Sequence, residues 1–175
     1  VHLRGGYGRD PMSDKDTHER LLDFLDSHDA RYRVIEHEPE GRSEEISRIR
    51  GNDPAQAMKA LVLSVSGRGK GKRTIMAVIP GSQRLDMKAL LSHVGAQKGR
   101  FAQPKEAADL TGCVMGAIPP FSFRKNMTLV VDESFKAWNE VTFNAGRLDR
   151  SLMLCFADYE RIVEPEFGHF AISGN

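Results

Sequence analysis

The sequence predicts a mixed α/β sheet, and three observations carry that class. Residues 60–66 and 74–80 are apolar, rich in β-branched side chains and separated by a glycine-rich segment, which reads as two adjacent strands of a hairpin. Elsewhere apolar residues recur at helical spacing between further strand-like runs, so strands lie both side by side and separated by helices. The 175 residues, 40% of them hydrophobic, suffice for one ordinary domain, and no internal repeat or low-complexity linker divides them.

Taken in order, Leu21, Leu22, Phe24 and Leu25 fall on one face of residues 17–28, with acids and Arg20 opposite, and predict an amphipathic helix. Residues 32–37 alternate weakly and are rich in strand formers until Pro39 and Gly41 end the run. Ser43 before Glu44 and Glu45 is a helix start, because the hydroxyl can cap orphan N–H groups while the acids face the positive helix end. A short helix to about Arg50 follows. The central hairpin then carries Arg68, Lys70, Lys72 and Arg73 in a flexible basic tip. Asp86 caps a helix to Val94 with Leu90, Leu91 and Val94 inward, and Pro104 begins a helix over 105–110 that Gly112 ends. Residues 127–131, 140–143 and 152–156 read as strands, and 158–163 as a short terminal helix.

Charge and cysteine content exclude several classes. Lys and Arg total 25 against 24 Asp and Glu, a formal net charge of +1, so any nucleic-acid contact rests on local patches rather than bulk charge. Cys113 and Cys155 have neither CxxC spacing nor the density of a disulfide scaffold, which points to free thiols in a reducing compartment, the cytoplasm. No run approaches the roughly 20 apolar residues of a membrane helix, and no secretory-signal layout opens the chain. Residues 1–11, with three glycines, are expected to form a disordered extension ahead of a single domain over 12–175. His18, His28, His37, His93 and His169 show no metal-ligand spacing, so no metal and no other cofactor is expected.

Two segments carry the chemistry. In residues 57–63 one lysine, Lys59, sits at the mouth of an apolar strand; in residues 116–121 a Gly-x-x-x-Pro turn can present backbone N–H groups to an oxyanion. Together they point to a pocket for a small acylated or phosphorylated ligand. Each also has a plain structural reading, a solvated lysine and a rigid proline turn. The glycine-rich hairpin tip lacks the Gly-x-x-x-x-Gly-Lys-Ser/Thr register of a phosphate loop and is followed by a strand. Its cations can still touch a phosphate backbone. Cys113 has no base at a recognisable spacing and reads as a small buried hydrophobe. His37, just after a strand, can face the pocket or serve a structural role.

Four segments resemble one family in order and spacing: Met58-Lys59-Ala60-Leu61-Val62; Leu85-Asp86-Met87-Lys88-Ala89-Leu90; Gly112 with Gly116-Ala117-Ile118-Pro119-Pro120-Phe121; and Phe143-Asn144-Ala145-Gly146-Arg147. They are similar to YbaK-type proteins, relatives of the editing insertion domain of bacterial prolyl-tRNA synthetase. The resemblance covers most of the chain from Thr17 to Val163. It implies a compact mixed sheet, partly barrel-like and flanked by helices, and hydrolysis of the ester between a wrong amino acid and the 3′-terminal adenosine of a tRNA. Lys59 would match the family's pocket lysine, placed on the adenosine phosphate or the ester carbonyl. Gly116 to Pro120 would match the loop that stabilises the tetrahedral intermediate.

Tyr32, Ile118 and Phe121 are candidates for the side-chain pocket, and Asn144, Gly146 and Ser151 for contacts around the Gly-Arg turn. Cysteine-selective members carry a serine and, seven residues on, an aspartate there; Asn144 and Ser151 stand in those places, and no histidine of the alanine-selective kind is nearby. A small apolar pocket discriminates by about 1–3 kcal/mol per methylene, so alanine, cysteine, serine and threonine all stay open. With no protein nucleophile, a positioned water or ribose hydroxyl would attack, since an ester is already an activated acyl group. The resulting expectation is a free-standing, monomeric aminoacyl-tRNA deacylase acting on mischarged tRNA, tRNA-Pro among the candidates, with a synthetase as a conceivable partner. A tRNA- or nucleotide-binding module without turnover, or hydrolysis of a small phosphorylated or acylated metabolite, are the alternatives.

Overall fold

An unbroken apolar run in a strand means that both of its faces are buried, and the longest strands of this chain are built that way. The computed structural model describes residues 15–122 and 124–174, so the expected extension over 1–11 lies outside them. The chain runs α1 (Thr17–Ser27), β1 (Tyr32–Glu36), α2 (Ser43–Arg50), β2 (Met58–Gly67), β3 (Lys70–Pro80), β4 (Gln83–Leu85), α3 (Met87–Val94), β5 (Lys98–Phe101), α4 (Pro104–Thr111), β6 (Met127–Asp132), β7 (Glu140–Arg147), β8 (Arg150–Cys155), α5 (Phe156–Val163), β9 (Glu166–Gly168) and β10 (Ala171–Ser173). Met58 and Val62 of β2, Met76 and Val78 of β3, and Leu129 and Val131 of β6 face the larger core, shared with α1, β7, β8 and α5. Leu63, Val65, Ile75, Ala77, Ile79 and Val130 face a smaller core under Leu90 and Val94 of α3. Each fully buried side chain of this size contributes about 1.5–3 kcal/mol. The apolar stabilisation therefore concentrates on these central strands.

Five strands form the main sheet in the order β5-β2-β3-β6-β9, and β1-β8-β7 and β10-β4 form two smaller ones. The β2–β3 hairpin and the β2–β5 pair are antiparallel, whereas β6 joins β3 in parallel. The class is the expected mixed α/β. The sheets do not close into a barrel among the described residues; an isolated bridge from Ala57 to Thr142 connects the entry of β2 to β7. No described helix is long and apolar enough to cross a membrane.

Several elements differ from expectation in detail. The α2 helix starts where expected, but Arg42 is the N-cap and makes no side-chain cap bond, with Ser43 inside the first turn. The basic hairpin tip is shorter, because β3 begins at Lys70 and draws Lys72 and Arg73 into the ladder. Arg73 turns inward and donates to the Val94 carbonyl at 2.9 Å, at the end of α3. After α5 the chain adds β9 and β10, three residues each, where a terminal helix was expected to close the fold.

The turn at residues 116–121 is anchored in the larger core. Phe121 is fully buried and meets Tyr159 edge-on at 5.5 Å and Phe143 at 5.8 Å. The Tyr159 hydroxyl donates to the Pro120 carbonyl at 2.7 Å, and complete burial pushes that phenol well above its ordinary value. Tyr159→Phe keeps the ring and leaves the buried carbonyl unpaired. It is expected to lower the unfolding free energy by about 1–3 kcal/mol, read as a lower urea midpoint with an unchanged denaturant slope; an unchanged midpoint would show that the bond holds nothing.

Candidate functional site

The α2 helix places Ser43, Ile46 and Arg50 on one face, since positions i, i+3 and i+7 fall above one another. These three residues line one wall of a cleft of about 170 Å³, and seven residues of helical rise make that wall about 10 Å long. The first residues of β2, including Lys59, line the cleft as well, together with Gly116 and Ile118 of the turn and Asn144 of β7. Its volume lies below the roughly 300–1,000 Å³ typical of sites for drug-sized ligands.

Lys59 is half-buried and donates from Nζ to the Gln83 carbonyl at 2.7 Å. Its other ammonium hydrogens have no bond among the described residues. Burial pushes the Lys59 pKa below the ordinary lysine value, and the carboxylate of Glu44 acts in the opposite direction. Along the turn, the donors are fewer than six residues would offer. Pro119 and Pro120 have no N–H, the Ala117 N–H donates to the Val114 carbonyl, and the Phe121 N–H to the Pro119 carbonyl. That leaves Gly116 and Ile118 with N–H groups uncommitted among the described residues, and both line the cleft.

Asn144 fixes the turn in place. Its Nδ2 donates to the Glu40 and Gly116 carbonyls, both at 2.8 Å, and its Oδ1 accepts from Ser151 Oγ at 2.9 Å. The β7–β8 register sets Asn144 directly opposite Ser151, which explains why residues seven apart in sequence act as a pair. Ser151 is fully buried, lies 2.7 Å from His37 Nε2 and accepts from Arg50 Nη1 at 3.1 Å. Arg50 also donates from Nε to Asn52 Oδ1 at 3.0 Å. Burial pushes the Arg50 guanidinium down to about 10.

The structure thus brings Lys59, Gly116, Ile118 and Asn144 to one cleft and leaves the other expected site residues outside it. Ser151 and His37 stand behind Asn144. Tyr32 pairs with Leu154, three residues along β8 from Ser151, and its hydroxyl donates to Asp26 at 2.6 Å, so it faces α1 rather than the cleft. Phe121 belongs to the core, and the Pro120 carbonyl is engaged by Tyr159. The Gly146 N–H donates to the Ala117 carbonyl at 2.9 Å and braces the turn from below. Cys113 is buried with its thiol pushed up to about 11, which removes it as a nucleophile. Sequence reasoning missed Arg50, although the Ser43, Ile46, Arg50 spacing carried the signal of a mixed polar and apolar helix face.

A family model for the aminoacyl-tRNA editing domain matches residues 37–162. The chain belongs to that family. Within it, the chain is 44% identical over 155 residues to the Multifunctional Ser/Thr-tRNA deacylase ProXp-y of Escherichia coli (strain K12), covering 88% of this chain and 92% of that protein. It is 25% identical over 155 residues to the Prolyl-tRNA editing protein ProX of Acetoanaerobium sticklandii, covering 86% and 93% respectively. The fold superposes on the crystal structure of hypothetical protein APE2540 with a TM-score of 0.78 and 21% identity, covering 87% of this chain and 99% of that one. In this editing domain the cleft is framed by residues 41–61 and 115–144, inside the matched segment.

The editing-domain turn depends on close backbone approach. At Gly116, φ is +84° and an added Cβ would stand 2.7 Å from the Gly41 Cα; at Gly51, φ is +74° and the space is open. Gly116→Ala is expected to lower stability by about 1–3 kcal/mol and by more than Gly51→Ala, compared by thermal unfolding. Equal losses at the two sites would mean that the contact between the loops does not constrain the turn.

Proposed function

We propose that this chain is an aminoacyl-tRNA deacylase that hydrolyses the ester joining a small amino acid to the 3′-terminal adenosine of tRNA, with serine and threonine as the amino acids removed. The observation that carries the reading is the cleft itself: a desolvated ammonium at Lys59 and two uncommitted N–H groups at Gly116 and Ile118 line a space sized for an aminoacyl group. The choice of serine and threonine draws on the E. coli relative, named as a Ser/Thr-tRNA deacylase.

In the reaction a water, or water activated by the neighbouring ribose hydroxyl, adds to the ester carbonyl carbon. The carbonyl oxygen becomes an oxyanion met by the Gly116 and Ile118 N–H groups, the second of which belongs to the peptide unit that Gly146 holds through the Ala117 carbonyl. The bond from carbon to the ribose oxygen then breaks; the acid keeps the water oxygen, the ribose takes the proton, and free amino acid and uncharged tRNA leave. Lys59 supplies positive charge at the entrance of the cleft, to the substrate phosphate or the developing oxyanion. We take it to act as a monomer in the cytoplasm, on released or synthetase-held tRNA.

A panel of alanyl-, cysteinyl-, seryl- and threonyl-tRNA, with and without synthetase present, tests the proposal. Wild-type protein is expected to release serine and threonine, and Lys59→Ala to lower kcat/KM by about 100-fold or more, the scale of one lost oxyanion contact. Charged esters left intact across the panel would overturn the reading, and salt-sensitive tRNA binding without hydrolysis would replace it with a binding module.

The pH profile adds a second check. Because burial favours the neutral amine of Lys59, its charge is lost at lower pH than that of an exposed lysine. The enzymatic rate, corrected for spontaneous ester hydrolysis, is expected to fall on the alkaline side in wild type. That limb should be absent from Lys59→Ala; its persistence there would assign it to another group.

A further inference from the structure

Arg50 is a partly buried cation at the cleft whose partners are all neutral. Its Nε donates to the Asn52 side-chain oxygen and its Nη1 to Ser151 Oγ. No carboxylate lies within ion-pair distance of it among the described residues, and burial lowers its pKa. Half-buried guanidinium groups are ordinarily paired, since a desolvated charge left alone is unfavourable. Lys59 shares this condition: its one bond goes to a backbone carbonyl, and the one carboxylate acting on it, Glu44, is exposed. The cleft therefore carries an excess of positive charge.

The oxyanion that develops from the ester can account for Lys59, but the ester itself gives Arg50 no anionic partner. An ester is uncharged, and the amino acid attached through it carries a cationic ammonium that two nearby cations would repel. The anionic part of an aminoacyl-tRNA end is its phosphodiester backbone, with one negative charge per nucleotide. We propose that Arg50 is an anion-binding residue of the cleft that takes a non-bridging oxygen of the phosphodiester linking the terminal adenosine to the nucleotide before it. This rests on the deacylase reading and adds to it a residue and a ligand group.

The geometry is prepared for such a contact. Asn52 and Ser151 each hold one arm of the guanidinium, so its plane is set before ligand arrives, and Nη2 has no acceptor among the described residues. With its plane fixed, the guanidinium offers Nη2 in a set direction where a lysine offers a point charge. Arg50 also lies on the α2 face that lines the cleft, which is too small for a nucleotide, and the proposal takes the sugar–phosphate chain along this wall. Ser151 then has two tasks: it orients the amide of Asn144 and it holds the arginine.

Binding of the dinucleotide cytidylyl-adenosine, compared with the same dinucleotide carrying an uncharged methylphosphonate linkage, isolates the phosphate charge. Wild type is expected to bind the charged form about tenfold or more tightly, the scale of one charge-assisted hydrogen bond. The logarithm of its affinity should fall with the logarithm of salt with a slope of about −0.7, as for one neutralised phosphate. Arg50→Gln, which keeps a donor toward Ser151, should bring the two affinities together, and Arg50→Lys should restore part of the difference. On wild type, the Arg50 side-chain nitrogen resonances should move with the charged dinucleotide and stay in place with the neutral one. Equal affinities in wild type, an undiminished difference in Arg50→Gln, or unmoved Arg50 resonances would each overturn the assignment. Seryl-tRNA hydrolysis measured on the same samples separates the two claims: an inactive protein with the charge preference intact would sink the deacylase reading, and an active one without that preference would sink this one.

Discussion

The amide of Asn144 ties together two loops that the β7–β8 hairpin already holds, one through Glu40 and Leu148 and the other through Gly146 and Ala117. It bonds the Glu40 carbonyl on one side and the Gly116 carbonyl on the other, at the place where Gly41 and Gly116 touch backbone to backbone. Both amide hydrogens are committed, so the side-chain oxygen has to find its partner elsewhere, and Ser151 supplies it from the neighbouring strand. Buried amides of this kind contribute modestly when satisfied and become strongly unfavourable when one partner is lost. Through Ser151 the same arrangement extends to Arg50.

That staple works because it is mounted on rigid elements. Strands β2, β3 and β6 are buried on both faces, β7 and β8 lie against the larger core, and the far end of the turn is pinned by Phe121 and by the bond from Tyr159 to Pro120. Groups that must meet a developing charge are effective when they need not reorganise to do so. Here the uncommitted donors flank or share the peptide units that Asn144 and Gly146 hold.

Much of the fold could be read from the chain. Capping at Asp86 and the Pro104 helix start survive in the structure, because local chemistry decides them. Strands β4, β5, β9 and β10 were not legible: they are three or four residues long and polar or mixed in character, and only a neighbouring strand makes them strands. In the site, Lys59 and the 116–121 turn were legible from their segments and from family likeness. Tyr32 and Phe121 were read with Ile118 as pocket residues, yet strand register turns Tyr32 toward α1 and core packing claims Phe121.

Taken alone, the sequence determined what local forces control: which residues start and end the main helices, which runs are apolar enough for central strands, and which turn lacks the donors its prolines remove. The tertiary structure decided everything that depends on distant residues meeting. Arg50 reaches Ser151 across 101 positions of chain, Lys59 finds its acceptor at Gln83, and Asn144 joins residues 40 and 116. The physical reason is that a polar side chain's role depends on which partners burial leaves within about 3 Å. Burial and partner are properties of the packed chain, not of the residue or its immediate neighbours.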